Sequence, residues 1–322
     1  MNTARQIDGL AAATRLPAGP LHLAIGMFDG VHLGHRAVID AALHSARCDD
    51  GVAGVLTFNP HPSRLFRPEA AVRLIQPPTL KAHLLFEAGV DVVITQPFDA
   101  AYAAIEAEDF VAHLRQRLPQ LSALYVGENW RFGRGRRGDV ALLNRTAQEA
   151  GLTVISADRI NHNGAPISST RIRGLLEEGQ IKAANALLGY AYRSEGVVAA
   201  GRQLGRRLGF PTLNLGWAPE LAPRFGVYAV RVRPIGAEAE TALPAVANFG
   251  LRPTVENARV APRLEVHVLA SGAFAGTGWT TGTELQADWL EFLRPEQKFA
   301  DLAALQTQIA KDRQTAEDFF LR

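Results

Sequence analysis

The chain has 322 residues, 47% hydrophobic and 20% charged, with a formal net charge of +2. This length exceeds what one hydrophobic core usually fills and predicts two domains, 1–188 and 189–322, while the near-neutral charge argues against a nucleic-acid-binding protein. No run of about 18 apolar residues offers a membrane span, Arg5, Asp8, Arg15 and Pro17 interrupt any signal-peptide core, and the single Cys48 leaves no internal disulfide or cysteine-rich zinc site; a cytoplasmic protein is expected.

The first predicted element is a strand over 21–28 (LHLAIGMF), which ends in Asp29-Gly30 and opens a helix from His32 to about Ala46. A buried strand over 52–58 follows and stops at Asn59-Pro60-His61-Pro62. Helix 78–88, halted by Gly89, precedes strand 90–95, and a helix near 108–118 precedes strand 123–126, which ends at Gly127. Helix 140–150, strand 152–155 and helix 170–188, broken at Gly179, complete the first half. Short apolar strands separated by helices predict an α/β, Rossmann-like domain with a parallel sheet covered on both faces. Ligands of such sheets bind beyond the carboxyl ends of the strands. From Gly189 the texture changes. Runs 226–232 (GVYAVRV) and 264–268 (LEVHV) alternate apolar and polar residues between Gly and Pro turns, predicting an antiparallel barrel or sandwich. A closing helix is expected from about Pro295, with Phe299, Leu302, Leu305 and Ile309 as its apolar stripe.

Two histidines, His32 and His35, sit three apart at a helix start, after Gly26, Phe28, Asp29 and Gly30. Helical spacing points both rings roughly one way, and the unpaired N–H groups of a first turn attract anions. Imidazoles there can stabilise charge on a phosphate during nucleotidyl transfer; a metal pair or simple capping are the other readings of the same residues. Ser168-Ser169-Thr170-Arg171-Ile172-Arg173 places two arginines in a first helical turn, where cations oppose the helix dipole by ~0.3–1 kcal/mol each. A bound anion would reverse that penalty, and side chains turned to solvent would avoid it. Gly127-Glu128-Asn129-Trp130-Arg131 and the arginines to Arg137 form a second candidate anion loop. In the second half, Gly201-Arg202-Gln203-Leu204-Gly205-Arg206-Arg207-Leu208-Gly209-Phe210-Pro211-Thr212-Leu213-Asn214 combines glycines and arginines suited to phosphate, and composition alone fits a surface β-turn with incidental arginines equally well. Thr212 and Asn214 project oxygens to one side of an extended segment, where Mg²⁺ can sit. Glu265, on the polar side of its strand beside His267, is a candidate general base or a solvated strand residue.

These motifs resemble a known family. Gly26-Met27-Phe28-Asp29-Gly30-Val31-His32-Leu33-Gly34-His35, Asn59-Pro60-His61-Pro62 and Ser168–Arg173 look like the adenylyltransferase half of bacterial bifunctional FAD synthetases, of the HxGH nucleotidyltransferase superfamily. The loop 201–215, Gly226-Val227-Tyr228, Asn248–Thr254, Glu265-Val266-His267 and Phe292–Phe299 are similar to riboflavin kinase domains. The resemblance implies a nucleotidyltransferase domain followed by a six-stranded antiparallel kinase barrel with a C-terminal helix. It implies ATP as co-substrate, riboflavin, FMN and FAD as substrates and products, and Mg²⁺; small-molecule partners are expected, with no nucleic acid or membrane, and weak self-association is allowed. By it, His32, His35 and Arg173 stabilise the transferring nucleotide, Ser169 and Thr170 hold phosphates, and Asn59 and Asn129 lie in the flavin and nucleotide pocket. Thr212 and Asn214 would bind Mg²⁺ and phosphate, with Glu265 as base. Gly26, Phe28, Asp29, Gly30, Arg131, Gly201, Leu204, Gly205, Arg206, Gly209, Pro211 and Arg252 complete the expected binding set. An adenylyltransferase for a different phosphorylated substrate would not explain the attached barrel, and a flavin-binding regulator would not need the reactive groups. An RNA-binding barrel would rest on the arginine loops alone.

Overall fold

The computed structural model describes residues 5–14, 16–200, 209–251, 262–269 and 278–322. Gly201, Leu204, Gly205, Arg206 and Arg252 of the expected binding set lie outside these residues. The chain divides into two compact units, Met1–Ser169 and Thr170–Arg322.

In the first unit, strands β1 (Arg5–Asp8), β2 (Leu21–Ile25), β3 (Val52–Asn59), β4 (Val92–Pro97), β5 (Leu121–Gly127) and β6 (Thr153–Ala157) form one parallel sheet in the order β1-β4-β3-β2-β5-β6. The intervening helices are α1 (Leu33–Cys48), α2 (Ser63–Phe66), α3 (Pro78–Glu87), α4 (Ala100–Ala103), α5 (Phe110–Arg117) and α6 (Val140–Glu149). Every residue of β2 is buried, as a strand covered on both faces requires. The chain winds outward from β2 through β3 to β4, then returns to the other side of β2 for β5 and β6. The crevice where the winding reverses, between β2 and β5, is where such sheets take ligands. The edge strand β1 was not expected from the sequence. It is short, polar and largely exposed, and its ladder to β4 holds it rather than burial.

A small hairpin, β7 (Asn161–His162) and β8 (Ala165–Pro166), turns through Asn163 and Gly164, both at positive φ. Helices α7 (Ser169–Glu178) and α8 (Ile181–Leu188) follow, separated at Gly179 (φ 78°), and Gly189 closes α8 in the left-handed conformation.

The second unit contains a closed antiparallel barrel of β9 (Tyr192–Ala199), β10 (Leu213–Gly216), β11 (Gly226–Pro234), β12 (Leu243–Leu251), β13 (Pro262–Val268) and β14 (Glu284–Pro295), in the order β10-β13-β12-β11-β14-β9. Trp289 fills its interior against Tyr192, Trp217, Tyr228 and Phe249. The closing helix α9 (Leu302–Phe320) corrects two expectations. Pro295 does not start it but ends β14, opposite Gly226. The start signal is Asp301, whose carboxylate accepts the Ala304 N–H at 2.8 Å. Nor does the Phe299–Ile309 stripe form the buried face, since Leu302 is 59% exposed. The helix docks instead through its second half. Ala316 is small enough to approach Val227, Val246 and Leu269, and the Arg294 fork grips Asp312 at 2.7 and 2.6 Å.

Candidate active sites

After β2 the chain crosses the carboxyl edge of the sheet in a strained turn. Phe28 (φ 48°) and Val31 (φ 36°) both adopt positive φ, alongside Gly30 (φ 84°). Such conformations cost of order ~1–3 kcal/mol each and persist only where the surroundings over-determine them. Here hydrogen bonds from outside the turn help to do so. The carboxylate of Asp29, 3% exposed, accepts the Ile75 N–H at 2.9 Å, and its carbonyl accepts the Ser169 hydroxyl at 3.0 Å. The Met27 carbonyl accepts both the Thr57 hydroxyl (3.0 Å) and the Lys81 ammonium (3.2 Å). The Phe28 ring packs so close over Gly26 that a Cβ there would lie 3.0 Å from it.

The turn delivers His32 as the N-cap of α1, its Nδ1 accepting the His35 N–H at 3.2 Å. The rings of His32 and His35 stack with centroids 3.5 Å apart and planes at 14°. Gly34 makes this possible: a Cβ on it would sit 3.2 Å from the His32 ring. The edge of Phe28 braces His35 at 5.4 Å. Burial first, then His32 and Lys81, hold the His35 imidazole well below its ordinary pKa. Its ring is therefore neutral at physiological pH, and its buried Nδ1 has no hydrogen-bond partner among the described residues. A neutral imidazole with one unsatisfied nitrogen can donate to or accept from a ligand, but it is not a resident cation.

These residues form one wall of a cavity of ≈250 Å³. Gly26, Phe28, His32 and His35 face Gly127, Glu128 and Asn129 from the end of β5 and Ala157–Ile160 from the end of β6. The cavity thus lies at the winding reversal. Asn129 donates to the Glu128 carboxylate at 2.7 Å, and Arg159 reaches the same carboxylate at 3.3 Å. Trp130, stacked on Phe132 at 4.7 Å, anchors this loop to the core.

In the barrel, pairing register assembles the second set. Asn214 on β10 is the direct partner of Glu265 on β13, and Asn248 on β12 is the partner of Glu265 on its other side. Their sequence neighbours Leu213, Leu264, Val266 and Phe249 are buried in the barrel, so the three polar residues share its outer face. Burial lowers the His267 pKa and keeps that ring neutral. Its Nδ1 pairs with the Pro211 carbonyl at 2.8 Å, tying the Pro211-Thr212 segment to β13. Thr212 and Asn214 are hard, neutral oxygen donors next to a carboxylate, a donor set that suits Mg²⁺ shared with a phosphate.

Comparisons with known proteins match the two halves of the chain separately. Residues 17–171 match the FAD synthetase family model, and residues 188–320 match the riboflavin kinase model. A bifunctional riboflavin kinase/FMN adenylyltransferase of Escherichia coli K12 is 37% identical over 316 residues, covering 98% of this chain and 97% of that one. The chain belongs to this bifunctional family. The Haemophilus influenzae relative of the same name is 34% identical, covering 98% of each chain, and that of Bacillus subtilis is 31% identical, covering 92% of each. A solved Streptococcus pneumoniae structure, described as a macrolide-efflux protein, has a TM-score of 0.82 at 25% identity, covering 97% of this chain and 98% of that one. No helix among the described residues here is long and apolar enough to cross a membrane.

Within the family framework, Gly26, Phe28, His32, His35 and Asn129 come together at the cavity, and Asp29, Gly30 and Ser169 build the turn behind it. Thr170 and Arg173 follow on α7, in the second compact unit. Arg131 does not line the cavity; it is exposed and pairs with Asp139 at 3.6 Å. The neighbouring Arg134 and Arg137 both engage Glu106, so that basic loop meets its own carboxylate. Gly209 is exposed ahead of the Pro211 segment. Asn59, exposed at the end of β3, stands apart from the cavity. Beside it is an aromatic group the sequence reading missed: Phe58, Phe66, Phe98 and Tyr102, with ring centroids 5.6–6.0 Å apart. The Tyr102 hydroxyl is buried without a partner among the described residues, and burial keeps the phenol protonated. Lys81 was missed as well. Its one sequence signal is a lysine on an otherwise apolar helix face with Leu80, Leu84 and Leu85, in a chain holding only three other lysines.

Proposed function

We propose that this protein makes both flavin cofactors, phosphorylating riboflavin to FMN and then adenylylating FMN to FAD. The observation that carries the reading is that one chain holds two chemically distinct candidate sets, the His32–His35 turn within residues 17–171 and Thr212, Asn214 and Glu265 within residues 188–320, each segment matched by its own family model. Residues 1–188 are assigned to adenylyl transfer and 189–322 to the kinase step. In adenylyl transfer a phosphate oxygen of FMN attacks the α-phosphorus of ATP. The bond to the β-phosphate oxygen breaks, and pyrophosphate leaves with that electron pair. His32, His35 and the first-turn N–H groups of α1 donate hydrogen bonds to the oxygens where charge gathers. Arg173, Ser169 and Thr170 are assigned to the same phosphates by their motif. Asn59 and the Phe58–Tyr102 aromatic group offer a polar edge and ring faces suited to a flavin. In the kinase step Glu265 takes the proton of the riboflavin 5′-hydroxyl as its oxygen attacks the γ-phosphorus, and ADP leaves. Thr212 and Asn214 would hold Mg²⁺, which neutralises phosphate charge when bound. Neither step needs a covalent enzyme intermediate; both rest on positioning and electrostatics. The setting is the cytoplasm, where ATP is supplied.

Incubation of the purified chain with riboflavin, ATP and Mg²⁺, with chromatographic separation of the flavins, should yield FMN first and FAD after it. Failure to convert FMN to FAD would overturn the N-terminal assignment, and failure to convert riboflavin would overturn the C-terminal one.

A further inference from the structure

Lys81 projects from α3 into the first unit and is only 5% exposed. Its ammonium donates to the Thr57 hydroxyl at 2.8 Å and to the Met27 carbonyl at 3.2 Å, while that hydroxyl donates to the same carbonyl at 3.0 Å. Met27 precedes the strained Phe28–Val31 turn, so this three-way knot fixes the residue from which the turn departs. A buried ammonium is costly unless it is paired. A methionine or leucine would fill the space in this apolar helix face without that cost. The charge must therefore serve something that packing alone does not.

We propose that Lys81 is a positioning residue of adenylyl transfer. Its ammonium holds the Met27 carbonyl, and with it the turn that carries His32 and His35, and its charge stands behind the histidine pair where negative charge accumulates on the transferring phosphate. The inference rests on the adenylyltransferase reading of this site. The charged groups around it are consistent with that role. Lys81 faces Asp29 from the turn and His35 from α1, and His35 also meets His32 on its own helix. The Lys81 charge helps keep His35 neutral, and a neutral imidazole offers a ligand one donor nitrogen and one acceptor nitrogen. Burial brings the Lys81 pKa down to about 8, opposed by Asp29. The ammonium is thus charged at neutral pH and loses its proton as the pH rises through that value.

The test compares Lys81→Met and Lys81→Arg with the parent enzyme. For FMN adenylylation, kcat/KM of the parent should fall above about pH 8, since this ratio reports groups of the free enzyme. Lys81→Arg, charged at every accessible pH, should remove that basic limb. Lys81→Met should lose about 10- to 100-fold in adenylylation at pH 7 while riboflavin phosphorylation is unchanged. In ligand-free protein, NMR titration of the His35 imidazole should show its midpoint rising in Lys81→Met, a readout independent of which substrate the site accepts. A basic limb that persists in Lys81→Arg, or a His35 midpoint unmoved in Lys81→Met, would overturn the proposal. If Lys81→Met does not fold, the Lys81→Arg profile decides alone. A parent enzyme that fails to adenylylate FMN would sink the functional reading, and the His35 titration would still judge Lys81.

Discussion

The two proposed phosphate-handling sets are built in opposite ways. In the first unit the chemistry is stored in a distorted turn. Two non-glycine residues at positive φ, a buried carboxylate and a buried ammonium aim a stacked histidine pair into a cavity. In the second unit Asn214, Asn248 and Glu265, among the described residues, lie on regular strands with no positive φ. Asn214, Glu265 and Asn248 meet because three antiparallel strands share a register, and they sit on the outer face of a barrel whose interior is filled with aromatic side chains. A site made by a turn depends on the few hydrogen bonds that hold the turn. A site made by register depends on the whole sheet and tolerates local change better, because a one-residue slip would have to invert every strand face.

Four substitutions sharpen this contrast. Glu265→Gln keeps the register and removes the proposed base, so riboflavin phosphorylation should fall about 10³-fold with FMN adenylylation intact; separate assays with riboflavin and with FMN read the two. His35→Ala should cost adenylylation about 10²-fold and leave the kinase step untouched. Gly34→Ala changes no reacting group, yet its methyl would press on the His32 ring at 3.2 Å. It should lower adenylylation about 10-fold without changing the thermal midpoint. Asp312→Asn weakens the pair with Arg294 that docks α9 and should cost the second unit about 1.5–3 kcal/mol, seen in denaturant melts, with both chemical steps near parent rates. Equal loss of both activities in Glu265→Gln would dissolve the contrast between the sites.

Much of this was legible in the sequence where signals are local. The apolar run of β2, the glycines of the turn, and histidines at helical spacing together announce a strand, a turn and a helix start. The alternation in 226–232 and 264–268 announces half-buried strands, and it already placed Glu265 and His267 on one face. What escaped was set by distant partners. Lys81 finds Met27 and Thr57 at separations of 54 and 24 residues, so only its odd place on an apolar helix face betrayed it. The α9 stripe differs from expectation because the contact is made toward the helix end by a polar residue, Asp312, by the small Ala316 and by Phe320, whereas Leu302 is exposed. Pro295 suits a helix start or a strand end equally well from its neighbours alone. The exposed Arg131 was expected at the site because arginines follow a strand end there, yet Asp139 is its partner.

The central claim is that one polypeptide opens ATP at two different phosphorus atoms. The most direct test supplies riboflavin with ATP radiolabelled either at the α- or at the γ-phosphorus and follows the label in each flavin. Label from the γ-position should enter FMN and persist in FAD, whereas label from the α-position should enter FAD alone. Label from the α-position in FMN, or FAD that never acquires it, would contradict the account.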